Sequence, residues 1–245
     1  MTNKIIGIQG DKLDKINISS DTSIFLAYEA QKLGYKIFYY TPSNLSIIKN
    51  KTYANGVFVK FNYERKKFYK IYKKQKIDVE NLKFILIRQD PPFNSEYLIT
   101  TLILDNLKKT RVINNPVAIR NVSEKLYSKK FTRYMPDTIF SNNIEEVKKF
   151  YKQNKSIIMK PINGYGGNQI HLIKNKFNKK LITNFLKKNG HSMFQKFLKN
   201  ISKGDKRVFI INGKVCGAIS RVPKKGSYLS NMSKGAVPKL TSLTK

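Results

Sequence analysis

Ile157 to Ile173 reads IIMKPINGYGGNQIHLI. An apolar run stops at a lysine and a proline, a glycine cluster follows, and an alternating stretch then puts Ile170 and Leu172 on one face. The pattern predicts strand, loop, strand. Gly164, Gly166 and Gly167 allow positive φ angles and leave backbone N–H groups unobstructed, as a loop around phosphate oxygens requires. Two familiar glycine loops are excluded. A Walker loop needs Lys-Ser or Lys-Thr and a helix after its last glycine, whereas Asn168, Gln169 and a strand follow here. The dinucleotide fingerprint needs a third glycine where Gln169 stands, with a helix beyond. What remains is a glycine flap between antiparallel strands, or an ordinary hairpin loop rich in turn residues. Lys160 favours the flap, because an ammonium at the end of an apolar strand is costly to bury unpaired, and a phosphate would pair it.

The chain of 245 residues can hold one large or two small domains. Lysine and arginine total 48 against 15 acids, a formal net charge of +33. The lysines are spread through every segment without an arginine-rich tail. We read the charge as compositional bias over a solvated surface in preference to a nucleic-acid site. Cys216 is the only cysteine, which excludes a disulfide framework and a cysteine-rich zinc site, and it is expected to be a small core residue. No run approaches the roughly twenty apolar residues of a membrane span, and no basic leader precedes an apolar run. The expectation is a cytoplasmic protein with no membrane partner.

From the N-terminus, KIIGIQ at Lys4 to Gln9 predicts a strand. A helix capped by Ser20 or Asp21 and ended at Gly34 follows, then a second strand from Tyr35, the βαβ unit of a parallel sheet. Asn55-Gly56 breaks an alternating stretch and predicts a hairpin turn. Tyr63 to Lys76 suits either a nucleic-acid surface or an amphipathic helix with Phe68, Ile71 and Tyr72 facing the core, and the helix is the preferred expectation. Phe84 to Ile87 predicts a buried strand, and RQDPPF directly after it puts Arg88 and Asp90 where α/β sheets bind ligands. An Arg88–Asp90 ion pair across that turn is the alternative. A helix at 94–109 and a strand at Arg111 to Asn114 follow, and Pro116 closes the first domain. Ser123 is expected to cap a helix with Lys125 in its first turn, where a cation calls for an outside anion, the commoner alternative being an ordinary exposed lysine. Next come a strand at Thr138, helices at 144–153 and 177–188, a strand over Met193 to Leu198, and two strands around Asn212-Gly213.

The blocks RQDPPF, NVSEKL, IMKPINGYGG, FQKFL, GDKRVFIINGKV and SRVP, in that order, resemble the prokaryotic glutathione synthetase family of ATP-grasp ligases. The resemblance implies an α/β fold: a parallel α/β domain at 1–119, then an incomplete α+β ATP-grasp domain at 120–245. It implies a ligase of glutathione biosynthesis, in which ATP phosphorylates γ-glutamylcysteine and glycine displaces the phosphate. By the resemblance, Lys125 and Lys160 hold ATP phosphates under the flap of Gly164, Gly166 and Gly167. Gln195, Lys196, Phe197 and Leu198 receive adenine. Arg88, Asp90 and Asn231 meet the peptide substrate, and Arg207 and Arg221 surround the reacting groups. A homo-oligomer is expected.

The sequence also departs from the family. Leu229 and Ser230 stand where the family has arginine and glycine, which weakens substrate contact there. Magnesium is an implied cofactor, yet Asp205 is the only acid after Lys160. The family's metal ligands belong to a C-terminal segment beyond Lys245. The expectations are therefore no metal ligand in this chain, a shortened C-terminus and weak turnover. Rival readings are a non-catalytic ATP-grasp binding subunit, a ligase for another carboxylate and, from the charge alone, a nucleic-acid binder.

Overall fold

The computed structural model describes residues 4–18, 21–62 and 67–243. Contacts cluster into two compact units, Met1–Val122 and Ser123–Lys245. The first holds β1 (Ile5–Gln9), α1 (Thr22–Lys32), β2 (Lys36–Tyr40), β3 (Leu45–Ile48), β4 (Lys51–Phe61), β5 (Tyr69–Asp78), β6 (Phe84–Ile87), α2 (Ser95–Asp105), β7 (Arg111–Ile113) and α3 (Pro116–Asn121). Its sheet runs β3-β4-β2-β1-β6-β7, with β5 on the other edge of β4. The strands from β2 to β7 are parallel, while β4 joins antiparallel. Period two divides β2 between two cores. Phe38 and Tyr40 pack with Leu104 of α2, whereas Ile37 and Tyr39 pack with Ile24 and Ala27 of α1.

Asp21 caps α1 by accepting from the N–H groups of Ser23 and Ile24 at 2.6 and 3.1 Å. The other expected cap, Ser20, lies outside the described residues. Asparagine supplies the remaining caps: Asn94 for α2 and Asn115 for α3, then Asn143 and Asn178 in the second unit. Past Asp105 the chain leaves the helix and turns over the Glu80 carboxylate, which accepts from the N–H groups of Lys108, Lys109 and Thr110. This is why α2 stops short of Lys109. Pro116, expected to close the domain, instead opens α3, where a missing N–H costs nothing.

Two local expectations fail in this unit. The β3–β4 turn is made by Lys49 and Asn50, both at positive φ, while Asn55-Gly56 lies inside β4. Gly56 is there for closeness: a Cβ would come 2.5 Å from the Phe38 ring and 2.6 Å from the Tyr39 carbonyl. The segment from Tyr69 to Asp78 is a strand, not an amphipathic helix, and Ile71 and Tyr72 are exposed. Pairing skips Tyr72, whose ring lies against Phe58 at 6.0 Å. Lysines along such an edge strand discourage pairing with another chain, so its alternation needs no nucleic acid to explain it. Tyr63 to Lys66, which began the same expected element, lie outside the described residues.

The second unit holds β8 (Thr138–Ser141), α4 (Ile144–Asn154), β9 (Ser156–Pro161), β10 (His171–Lys174), α5 (Lys179–Asn189), β11 (Ser192–Lys196), β12 (Asp205–Ile211), β13 (Lys214–Val222) and β14 (Val237–Leu240). Its antiparallel sheets are β10-β9-β11-β8 and β12-β13-β14. Helices α4 and α5 cover one face of the first, burying Val147, Phe150, Ile182 and Phe185 against Ile157, Met159 and Phe194. Asn212 and Gly213, at φ +50 and +76, make the expected hairpin turn. Cys216 is exposed rather than in the core: the β12–β13 register skips it, and its neighbours in this hairpin are exposed too. No described helix is long and apolar enough to cross a membrane.

Candidate functional site

The site of the second unit follows from strand pairing. Lys160 lies opposite Met193, and Gln195 opposite both Ile158 and Thr138. Alternation therefore puts Lys160, Met193, Gln195 and Thr138 on one face, while Met159 and Phe194 go to the helix-covered core. That free face floors a cavity of about 380 Å³. Lys125, Lys160, Gly164, Gly166, Gly167, Gln195, Arg221 and Asn231 all line it. Ser128 and Met135, which the sequence reading did not single out, also line it.

Lys125 is not in the first turn of a helix capped by Ser123. Residues 124–126 form a turn leading into a 3-10 stretch, Tyr127–Tyr134. The Lys125 ammonium donates to the Gly164 carbonyl at 2.6 Å and to that of Ile162 at 3.3 Å, with the Glu124 carboxylate 3.8 Å away. Two neutral loop carbonyls thus hold this largely buried ammonium, with Glu124 farther off. The glycine loop is held from the far side too. Ser233 donates to the Gly166 carbonyl at 3.0 Å, and Lys234 to Asn168 Oδ1 at 2.6 Å. Gly166 and Gly167 have φ +60 and +77, and a Cβ on Gly167 would sit 2.6 Å from Asn231 Oδ1. Only glycine fits there.

Lys160 donates to Gln195 Oε1 at 2.9 Å. Burial lowers its pKa, the charge of Lys125 lowers it further, and Glu124 opposes both. Such an ammonium gains from any anion entering the cavity. Arg221 is bound by Asp205 at 2.8 and 2.5 Å, which offsets its charge. Arg207 is exposed on β12 and does not line the cavity. Leu198 is exposed, the Lys196 N–H donates to the Asp137 carbonyl at 2.8 Å, and that of Phe197 to the Ser156 carbonyl at 2.9 Å. The Phe197 ring meets Tyr228 edge-on. Those three residues lie outside the cavity lining.

In the first unit Arg88 and Asp90 follow β6. No ion pair joins them among the described residues. Arg88 instead donates to the hydroxyls of Ser23 and Thr22 at 3.0 and 2.7 Å. The Asp90 N–H donates to the Asp11 carboxylate at 2.9 Å. The Asp90 carboxyl is pushed up by partial burial, then by Asp11 and Asp21, with Arg88 opposing.

A lysine pair under a glycine loop on an antiparallel sheet is the arrangement expected of an ATP-grasp domain. The family model for the prokaryotic glutathione synthetase N-terminal domain matches residues 5–120, and that for its ATP-grasp domain matches 124–245. The chain belongs to the prokaryotic glutathione synthetase family. Glutathione synthetase of Mesorhizobium japonicum is 37% identical over 98% of this chain and 78% of that protein. The Buchnera aphidicola (subsp. Acyrthosiphon pisum) glutathione synthetase is 35% identical over 98% and 77%. Among solved structures, the fold resembles the ATP-grasp ligase PsnB complexed with a precursor variant, Mg and ADP, at TM-score 0.60 and 15% identity, over 99% of this chain and 78% of that one. It also resembles D-alanyl-alanine synthetase A of Vibrio cholerae, at TM-score 0.55 and 14% identity over 100% and 77%. These likenesses establish the ATP-grasp fold.

Membership in this glutathione synthetase family implies magnesium beside the nucleotide. Among the described residues no three His, Cys, Asp or Glu side chains group to hold a metal ion. Asp205, the one acid after Lys160, already binds Arg221. The residues present do not fit a protein-held magnesium.

Proposed function

We infer that the chain is an ATP-dependent carbon–nitrogen ligase, a glutathione synthase that joins glycine to γ-glutamylcysteine through an acyl phosphate. The observation that carries this reading is the convergence of Lys125 and Lys160 with the loop of Gly164, Gly166 and Gly167 on one cavity. The γ-phosphoryl group of ATP passes to a carboxylate oxygen of the dipeptide, and ADP leaves. The amine of glycine then attacks the acyl carbon, the carbon–oxygen bond to phosphate breaks, and the amine proton is given up. Both steps crowd negative charge, which fixed ammonium groups offset best in a site closed to water.

Lys125 and Lys160 bind and orient the phosphates, and the glycine loop covers them. Arg221, held by Asp205, borders the reacting carboxylate, and Asn231, which lines the same cavity, meets the peptide substrate. By the family resemblance Gln195, Lys196, Phe197 and Leu198 receive the adenine, and of these Gln195 lines the cavity. Arg88 and Asp90 are the residues of the first unit that the family resemblance assigns to the dipeptide.

The test is ADP release by purified protein given ATP, γ-glutamylcysteine, glycine and magnesium. Release that needs both the dipeptide and glycine is the expected result. ATP bound without any release would make the chain a nucleotide-binding protein and overturn the ligase reading.

A further inference from the structure

Thr138 belongs to neither the phosphate loop nor the adenine edge, yet two hydrogen bonds link it to Lys160 through Gln195. Its hydroxyl donates to the Pro136 carbonyl at 2.7 Å. That uses its one proton, so its oxygen can only accept from Gln195, whose Nε2 lies 2.9 Å away. The amide nitrogen is therefore fixed on the Thr138 side, and the amide oxygen is left facing the Lys160 ammonium at 2.9 Å. An amide is nearly symmetric in shape, and only such a network decides which end points where.

The polarity matters because of what surrounds Lys160. Lys125 brings further positive charge to the cavity, and Glu124 is the one acid lining it among the described residues. Lys125 and Glu124 both act on the Lys160 ammonium. A reversed amide would aim N–H groups at that ammonium and add to the repulsion. In the observed orientation a neutral oxygen takes one N–H of Lys160 and leaves its charge whole and two N–H groups for a ligand.

We propose that Thr138 is a positioning residue: it sets the direction of the Gln195 amide and thereby aims the Lys160 ammonium at the nucleotide phosphates. This rests on the ATP site proposed above. Strand pairing makes it possible, since Thr138 and Gln195 are direct partners across β8 and β11.

The experiment compares wild type with Thr138→Val, which keeps shape and strand preference without the hydroxyl, and Thr138→Ser, which restores the hydroxyl. Thr138→Ala serves as a second deletion should the valine fail to fold. Nucleotide-free protein with 13C-labelled lysine is titrated by NMR, the Lys160 signal being identified by its loss in Lys160→Arg. Thr138→Val should lower the Lys160 pKa, and Thr138→Ser should leave it as in wild type. ATP affinity, measured by calorimetry, should fall about tenfold in Thr138→Val, the scale of one hydrogen bond to a charged group, and recover in Thr138→Ser. A Lys160 signal and an ATP affinity unmoved by Thr138→Val would overturn the proposal. So would a serine variant as impaired as the valine, which would mark a packing role. Wild type that binds no ATP would overturn the functional reading, and the NMR comparison would still decide whether Thr138 controls Lys160.

Discussion

Each unit ends a buried strand of its sheet in charge, and the two surroundings have opposite sign. Lys160 on β9 sits with Lys125, and their shared positive charge lowers its pKa below that of burial alone. Asp90, just past β6, sits with Asp11 and Asp21, whose negative charge raises its carboxyl in the same sense as burial does. Neutral groups hold the cation in both places: an amide oxygen for Lys160, and two hydroxyls for Arg88. Withholding a direct counter-ion leaves each field unspent until a ligand supplies it. One end suits an anion, and the other a cation.

The contrast breaks most sharply at Lys160. Lys160→Met should reduce ATP affinity about a hundredfold, the upper scale of hydrogen bonds to charged groups, without lowering the melting temperature, since it removes a cation that burial disfavours. Titration calorimetry and a thermal melt check both parts, and retained affinity would remove Lys160 from the phosphate site.

Arg88→Lys is the intermediate case. Its charge stays, but one ammonium cannot reproduce the guanidinium fork across Thr22 and Ser23. Urea unfolding should show a loss of about 1 kcal/mol, while ATP affinity is unchanged.

The smallest effect is expected from Asp90→Asn. The folded-state carboxyl is raised above its ordinary value, so wild type carries a penalty at neutral pH that vanishes once both folded and unfolded chains are protonated. The amide should therefore melt slightly higher at pH 7, with the gain shrinking as pH falls through the carboxylate range. Asp90 is largely open to solvent, which keeps the gain small. An equal gain at every pH would show that its neighbours' charge is not the cause.

The legible parts of the sequence were those set by short-range chemistry. Asn212-Gly213 reads as a turn and is one, because nothing packs on either residue to override the preference for positive φ. Asn55-Gly56 carries the same two letters and lies inside a strand, because Phe38 needs the room that a missing Cβ gives. The edge strand from Tyr69 to Asp78 misled for a similar reason: one bulged residue, Tyr72, shifts the phase of its alternation toward a helical spacing. Lys125, Lys160, the glycine loop, Gln195, Arg221 and Asn231 do line one cavity, whereas Arg207 lies on an exposed strand outside it. Thr138 gave no signal of its own. Its contact with Gln195 depends on the register of two strands far apart in sequence, which no local pattern encodes.

The exposed bulge residue Cys216 gives the chain a single thiol. A maleimide dye would therefore attach at one place only, with no background cysteine to remove. Five residues along the same strand lies Arg221, about 17 Å away at the usual rise of a strand. A fluorophore there is near enough to report filling of the cavity and far enough to leave it open, so the wild-type sequence already contains its own optical reporter site.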